Sequence, residues 1–233
     1  MSKVIGIIGA MDDEIQMYQE HLTNARAIKH NSFTFYTGTF HKHQVVLVKS
    51  GVGKVFAAMI TQYLIDKFNV SSILFTGVGG SLNKSLKVGD VVIGTDSVHH
   101  DFDAIALGFK RGQISYTNYR FFKADARLRA LALKAHIDNH KIMAGRILTG
   151  DQFFTQREKK KHKYLTAELK GDCIEMEGAA VAQVCVMNKI PHLIIRTVSD
   201  QANGTAVKDY NTFKHLVAHN SFKIVHHILH NLR

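Results

Sequence analysis

Val4-Ile5-Gly6-Ile7-Ile8-Gly9-Ala10 is an unbroken apolar run of strand length, the pattern of a strand covered on both faces. It delivers Met11-Asp12-Asp13-Glu14, and a helix is expected from Glu14 through His21, with these acids suited to its first turn. Phe33 to Phe40 alternates apolar and polar positions, and His43 to Val48 follows after a short turn, which predicts a hairpin at the sheet's edge or beside it. Ser50-Gly51-Val52-Gly53-Lys54 then reads as a tight strand-to-helix turn that needs glycine dihedrals, leading into a well-patterned helix from Val55 to Phe68. A second buried strand, Ser72 to Thr76, opens into a glycine loop, Gly77 to Gly80; a third runs from Asp90 to Val98. An amphipathic helix is predicted from Lys123 to Asn139, then a strand from Ile142 to Leu148 and a turn from Thr149 to Phe154. A strand is expected to end at Glu175, followed by a small-residue helix from Glu177 to Asn188, a strand from His192 to Val198 and a closing helix from Asn211 to Leu232. Strands alternating with helices predict an α/β fold with a mostly parallel sheet.

Composition adds little to that pattern except charge. The 233 residues are 45% hydrophobic with one proline, Pro191, and no Gly/Ser-rich or Pro-rich linker, so one domain is expected. No apolar run approaches the roughly 18 to 20 residues of a membrane helix. Val4 to Ala10 is too short, and too closely followed by acids, to read as a signal peptide. Cys173 and Cys185 form no C-x-x-C pair, which points away from a disulfide framework and toward a reducing cytoplasm. Thirty Lys and Arg against 19 Asp and Glu give a net charge of +11, which raises nucleic acid as a partner. The densest basic run, Arg157 to Lys163, carries an internal Glu158 and reads as the solvated face of a helix without any recognition signature. Nucleic acid is therefore not the expected partner.

Two glycine-rich motifs resemble nucleotide loops and fail the test. Val48 stands where a Walker loop needs its first glycine and Val55 where it needs Ser or Thr; Leu82 replaces the last glycine of a dinucleotide fingerprint begun at Gly77. His99-His100-Asp101-Phe102-Asp103 matches no common metal spacing. Carboxylates carry the stronger signal. Glu14, Glu175 with Glu177, and Asp200 lie at ends of separate strands, as do Gly77 to Gly80, and in such a sheet these ends converge. Converging acids persist mainly where one is protonated and another ionised, the arrangement for acid/base cleavage of a glycosidic bond. Phe153 and Phe154, beside the Gly150-Asp151 turn, offer aromatic faces to a flat heterocycle.

The same stretches carry a family resemblance. Gly6 to Met11 with Glu14, Ser50 to Val55, Gly77 to Gly80, His100 to Asp103, Gly150 to Phe153, Glu175 to Ala179 and Arg196 to Asp200 resemble, end to end and in order, the 5'-methylthioadenosine/S-adenosylhomocysteine nucleosidases. The resemblance implies the nucleoside phosphorylase fold. That is a single-domain, three-layer α/β/α arrangement over residues 1–233 around a central mixed, partly barrel-like sheet. It also implies a homodimer, no metal, no cofactor, and hydrolysis of an adenine N-glycosidic bond. Position by position, it makes Asp200 the general acid at adenine N7, placed with help from Ser199, and Glu14 the base for water, with Arg196 in support. It gives Glu177 the ribose hydroxyls, with Met176 against the sugar and Glu175 beside it. Phe153 stacks on adenine, the backbone of Phe154 reads its edge, and Val78, Gly79 and Gly80 are among the substrate-binding residues. Met11, Val52 and Tyr210 receive the 5'-alkylthio group, joined by Ala104, Leu107 and Phe109 from the partner subunit. Val78, where several members carry Ser, and Leu107, where Phe is frequent, depart from the family pattern. They leave open the preference among methylthioadenosine, adenosylhomocysteine, 5'-deoxyadenosine and aminodeoxyfutalosine. The alternatives are a purine nucleoside phosphorylase, which needs cations for phosphate where Met11-Asp12-Asp13-Glu14 stands, and a non-catalytic basic module binding nucleic acid or nucleoside.

Overall fold

The computed structural model describes residues 3–200 and 206–233, with the side chains at 156, 157, 206–211 and 214 excepted. In chain order the elements are β1 (Val4–Gly9), α1 (Asp12–His21), β2 (Thr23–His30), β3 (Phe33–Phe40), β4 (His43–Lys49), α2 (Lys54–Phe68), β5 (Val70–Ser81) and β6 (Val91–His99). A 3-10 turn (Ile105–Leu107), β7 (Phe122–Lys123), α3 (Ala126–Ala132), β8 (Ile142–Thr149), α4 (Gln156–Lys161) and α5 (Tyr164–Ala167) follow. The chain closes with β9 (Cys173–Glu175), α6 (Gly178–Met187), β10 (His192–Asp200) and α7 (Ala206–Asn231). Among the described residues no helix is long and apolar enough to cross a membrane.

One mixed sheet organises these elements. β4, β1, β5 and β10 run parallel, β3 and β2 add an antiparallel edge, and β6, β8 and β9 run parallel to one another. β10 pairs antiparallel with β6, and β9 antiparallel with the far end of β5. Since β5 also pairs with β10, the path β10-β6-β8-β9-β5 closes on itself. The result is a five-stranded barrel from which β1, β4, β3 and β2 extend as an open sheet.

Alternation along the strands sends side chains to two cores, which is why those strands are apolar on both faces. Ile8, Val46, Val48, Ile73, Phe75 and Ile194 pack against α2 and α6. Ile5, Ile7, Val45, Leu47, Leu74 and Ile195 pack against α1, α3 and α7, whose Ile15, Tyr18, Leu128, Phe222, Val225 and Ile228 are buried there. The Gly178-Ala179-Ala180-Val181-Ala182 run is buried along α6, with Ala179 to Ala182 in the first of these cores.

Two expectations need correction, and one strand was not anticipated. The helix expected over Lys123–Asn139 is only Ala126–Ala132, preceded by β7. Phe122 and Lys123 are drawn into pairing with Ser97 and Asp96 of β6, and Asp125 then caps the helix, accepting from Leu128 N at 2.9 Å. The chain beyond Leu133 turns through Asn139 at a φ of 62°, which no helix continues. Gly77 to Gly80 is not a loop: these residues continue β5, paired with Arg196, Thr197, Val198 and Asp200 of β10, and Gly80 also with Ile174 of β9. β2 carries no hydrophobic pattern at all, because every one of its residues is exposed and only backbone pairing with β3 defines it.

The contrast between β5 and β2 gives a direct test. Leu74→Ala removes a side chain with no exposed surface and should cost about 2–5 kcal/mol, whereas Ile28→Ala, 43% exposed on β2, should stay within about 0.5 kcal/mol. Urea denaturation of both variants checks the pair.

Candidate active site

Glu14 sits in the first turn of α1, where the chain leaves β1. Its Oε2 accepts from Ala10 N at 2.6 Å and Met11 N at 3.1 Å, and its Oε1 from Val78 N at 3.0 Å. Backbone from two strands therefore orients one carboxylate. Gly77 allows this approach, since a Cβ there would stand 2.5 Å from Glu14 Oε1 and 3.2 Å from Arg196 Nη1. Burial pushes the Glu14 carboxyl above its ordinary value, with the Arg196 charge and the three N–H bonds pulling the other way.

Arg196, on β10, is 1% exposed with its guanidinium 4.1 Å over the Phe75 ring. Its Nη2 lies 2.5 Å and its Nε 3.1 Å from Glu175 Oε2, while Nη2 is 3.8 Å from Glu177 Oε2. Glu175 Oε2 also accepts from Glu177 N at 3.1 Å and Gly178 N at 2.7 Å, and its Oε1 from the Thr149 hydroxyl. Glu175 thus holds the start of α6, and Glu177 caps that helix by position. Glu177 Oε1 accepts from Gly53 N at 2.8 Å, across from the α2 turn, where Gly53 has a φ of 102° that suits only glycine. Burial first, then the neighbouring charge of Glu175, pushes Glu177 up to about 8, against the pull of Arg196 and of the Gly53 N–H.

Asp200 closes β10, 2% exposed, and its Oδ2 accepts from Ser199 Oγ at 2.9 Å. Together these groups face a cavity of about 260 Å³ lined by Met11, Glu14, Val52, Val78, Gly79, Gly80, Phe153, Phe154, Glu175, Met176, Glu177, Ser199 and Asp200. Those are sequence-predicted positions. Arg196 stands behind them and does not line it. Ala104, Leu107 and Phe109 also lie away from it, around the 3-10 turn, with Leu107 66% exposed. The side chain of Tyr210 falls outside the described residues. The two phenylalanines have separate environments: Phe153 is 48% exposed at the cavity, while Phe154 is buried with Leu82, Val98, Leu148, Leu165 and Ile174.

Sequence reasoning missed Ala10, Gln152 and Ile174 in the lining, and Thr149 as a support. Gln152 was signalled by its place between Asp151 and Phe153, but Thr149 and the Gly53 N–H act through contacts that no local pattern marks. The His99 to Asp103 stretch is divided among separate partners: His99 Nε2 contacts Gln183 Oε1 at 2.9 Å, Asp101 pairs with Lys54, and Asp103 with Arg111. Among the described residues no three His, Cys, Asp or Glu side chains group so as to hold a metal ion.

A closed barrel with a buried acid cluster at its rim is a feature of a known class, and the sequence pattern of the phosphorylase superfamily matches residues 4–230. A 5'-methylthioadenosine/S-adenosylhomocysteine nucleosidase from Staphylococcus haemolyticus is 37% identical over 229 residues, covering 97% of this chain and 99% of its own. The solved structure of such a nucleosidase from Colwellia psychrerythraea, in complex with adenine, has a TM-score of 0.94 at 37% identity, covering 100% of this chain and 96% of its own. Futalosine hydrolase of Helicobacter pylori has a TM-score of 0.92 at 32% identity, covering 100% and 99%. The chain belongs to the 5'-methylthioadenosine/S-adenosylhomocysteine nucleosidase family of the phosphorylase superfamily.

The raised Glu177 carboxyl makes stability depend on pH. Between its ordinary 4.5 and about 8 the folded state holds a proton that the unfolded chain has released. The stability this proton supplies is fully present below the lower value and is lost as pH rises through the upper one. Glu14, also raised, acts in the same direction. The urea midpoint should therefore fall as pH rises from 4.5 to about 8 and level off above that, and Glu177→Gln, which mimics the protonated acid, should flatten that fall. An equally steep fall in the variant would rule Glu177 out as its source.

Proposed function

We propose that the chain hydrolyses the N-glycosidic bond of 5'-methylthioadenosine and S-adenosylhomocysteine and releases adenine. One observation carries the choice of water over phosphate. Among the described residues the cavity lining contains Glu14, Glu175, Glu177 and Asp200 and no lysine or arginine. An incoming phosphate would meet anions, whereas neutral water would meet an oriented acceptor. The nucleosidase relatives and the adenine complex of one of them support the same reading.

In this reading the leaving adenine needs a proton because the bond breaks toward an oxocarbenium-like state, and the departing base carries electron density. Asp200 supplies that proton at N7, and Ser199 Oγ, 2.9 Å from Oδ2, fixes the carboxyl's direction. Glu14 holds the water. Its Oε2 accepts two backbone bonds and its Oε1 one, so Oε1 keeps a lone pair for the nucleophile. Glu177 takes the ribose hydroxyls with Met176 against the sugar; a carboxyl near about 8 can donate as well as accept there. Phe153 is the platform for the base, and its exposure of 48% matches a face left free for a ligand.

The same reading makes the chain one domain in the cytoplasm and a homodimer. Val52, Val55 and Phe56 at the start of α2, with Leu107 and Met187, are large apolar side chains left exposed on one protomer. Exposed apolar side chains of this kind suit an association surface, and in a homodimer Ala104, Leu107 and Phe109 would complete the 5' end of a partner's cavity. Futalosine hydrolase among the structural relatives keeps aminodeoxyfutalosine beside 5'-deoxyadenosine as a further candidate substrate.

Wild-type protein should release adenine from 5'-methylthioadenosine in phosphate-free buffer, followed by the ultraviolet change on base release. Asp200→Asn should lower kcat by about a hundred- to ten-thousand-fold, the usual contribution of a positioned proton donor. Release that requires phosphate and yields a ribose phosphate would establish a phosphorylase instead.

A further inference from the structure

Gly53 and Lys54 open α2, and their successive backbone N–H groups go to two different acids. Gly53 N donates to Glu177 Oε1 at 2.8 Å and Lys54 N to Asp151 Oδ1 at 3.3 Å. The Lys54 side chain doubles the second link: its Nζ is 2.9 and 2.8 Å from the two Asp101 oxygens and 3.2 Å from Asp151 Oδ2. Asp101 closes the ring by accepting from Asp151 N at 3.0 Å. None of these three side chains lines the cavity. With the Lys54 side chain 22% exposed and those of Asp101 and Asp151 31% and 55%, the pairs are screened by water and add little to global stability.

Their location gives them another use. The turn from Gly150 to Phe154 has one firm flank, where the His100 ring fills the space a Cβ at Gly150 would need and meets the Phe154 ring edge-on at 5.2 Å. Its other flank carries Asp151, two residues before the half-exposed Phe153, and is held by Lys54. We propose that Lys54 is a positioning residue: it clamps the Gly150–Phe154 turn, and with it the Phe153 ring, onto the α2 start that also holds Glu177, tying the base side and the sugar side of the cavity at one point. The inference rests on the hydrolase reading for the role of Phe153, while the clamp itself is a property of the free protein. Without the ammonium, the Asp101 and Asp151 carboxylates repel across the gap it bridged, and the turn opens. Loss of an aromatic platform weakens ground state and transition state alike, so the effect belongs in KM.

The test uses Lys54→Met, Lys54→Arg and Lys54→Met combined with Asp101→Asn, each in the full chain. Lys54→Met should raise KM for 5'-methylthioadenosine about tenfold, a fraction of what base stacking supplies, while kcat changes by less than about threefold. Lys54→Arg, whose fork reaches both carboxylates, should restore most of the affinity. Removing the Asp101 charge from the Met variant should recover part of it, a non-additivity that marks direct coupling. Hydrogen exchange of the 150–155 amides should quicken in the Met variant and not in the Arg variant. Exchange is read without turnover, so it decides the clamp even if wild type releases no adenine, an outcome that would overturn the hydrolase reading alone. Unchanged exchange in segment 150–155 overturns the clamp, as does an active Met variant with wild-type KM or with its loss confined to kcat.

Discussion

Arg196 is a guanidinium with almost no contact with water, placed among Glu14, Glu175 and Glu177. Removing such a charge from water is strongly unfavourable unless its donors are used and its charge is matched. The neighbourhood is built to do both. Glu175 takes two of its N–H groups, the Ile195 carbonyl another, and the Phe75 ring lies against its face. Glu175 in turn is held by Thr149 and by the first N–H groups of α6. One cation does not balance every acid around it: burial first, and then the charge of Glu175, raise Glu177, which keeps a proton into the neutral range. The carboxyls at the cavity are thus set by burial and by a charge balance centred one layer behind it.

That balance depends on topology. Arg196 is on β10, Glu175 on β9, Thr149 on β8 and Gly77 on β5, four of the five strands that close the barrel. Only closure brings β9 against both β5 and β8, so that a three-residue strand can hold Glu175 at the start of α6 beside Glu177. Glu14 enters from outside the barrel, where β1 pairs with β5, and reads the Val78 N–H. Helices pack on both faces of the strands that lead to this site, which is why β1 is apolar throughout and β5 and β10 carry apolar runs.

A fold of this kind hosts more than one chemistry, and the fold alone does not choose among them. What separates the readings is the sign of the charge facing the cavity. A phosphate-using site needs positive groups where the nucleophile sits; here the lining is acidic and the buried Arg196 is spent on Glu175. The cations of a basic chain are elsewhere: Lys54 and Arg111, for instance, pair with Asp101 and Asp103 in the segment after β6.

Much of this was legible in the sequence, for identifiable reasons. Apolar strands covered on both sides write themselves as continuous runs, so β1 and β10 were found, and the long patterned helices α2 and α7 likewise. Acids at strand ends stand out because little else puts them there, and Glu14, Glu177 and Asp200 do meet at one cavity. The misses share a cause. β2 exists through backbone pairing and buries nothing, the glycines of β5 look like a loop until β10 and β9 supply partners, and the start of the expected Lys123–Asn139 helix is drawn into pairing with β6. The sequence by itself determined the α/β class, the two-faced core and which acids are available for chemistry, because those follow from residue type and spacing. Only the tertiary structure decided that Arg196 lies behind the cavity and not in it, that Phe153 is open while Phe154 is buried, and that Glu14 and Glu177 are acids whose pKa is raised. Burial and through-space charge depend on neighbours that the chain brings together from distant positions.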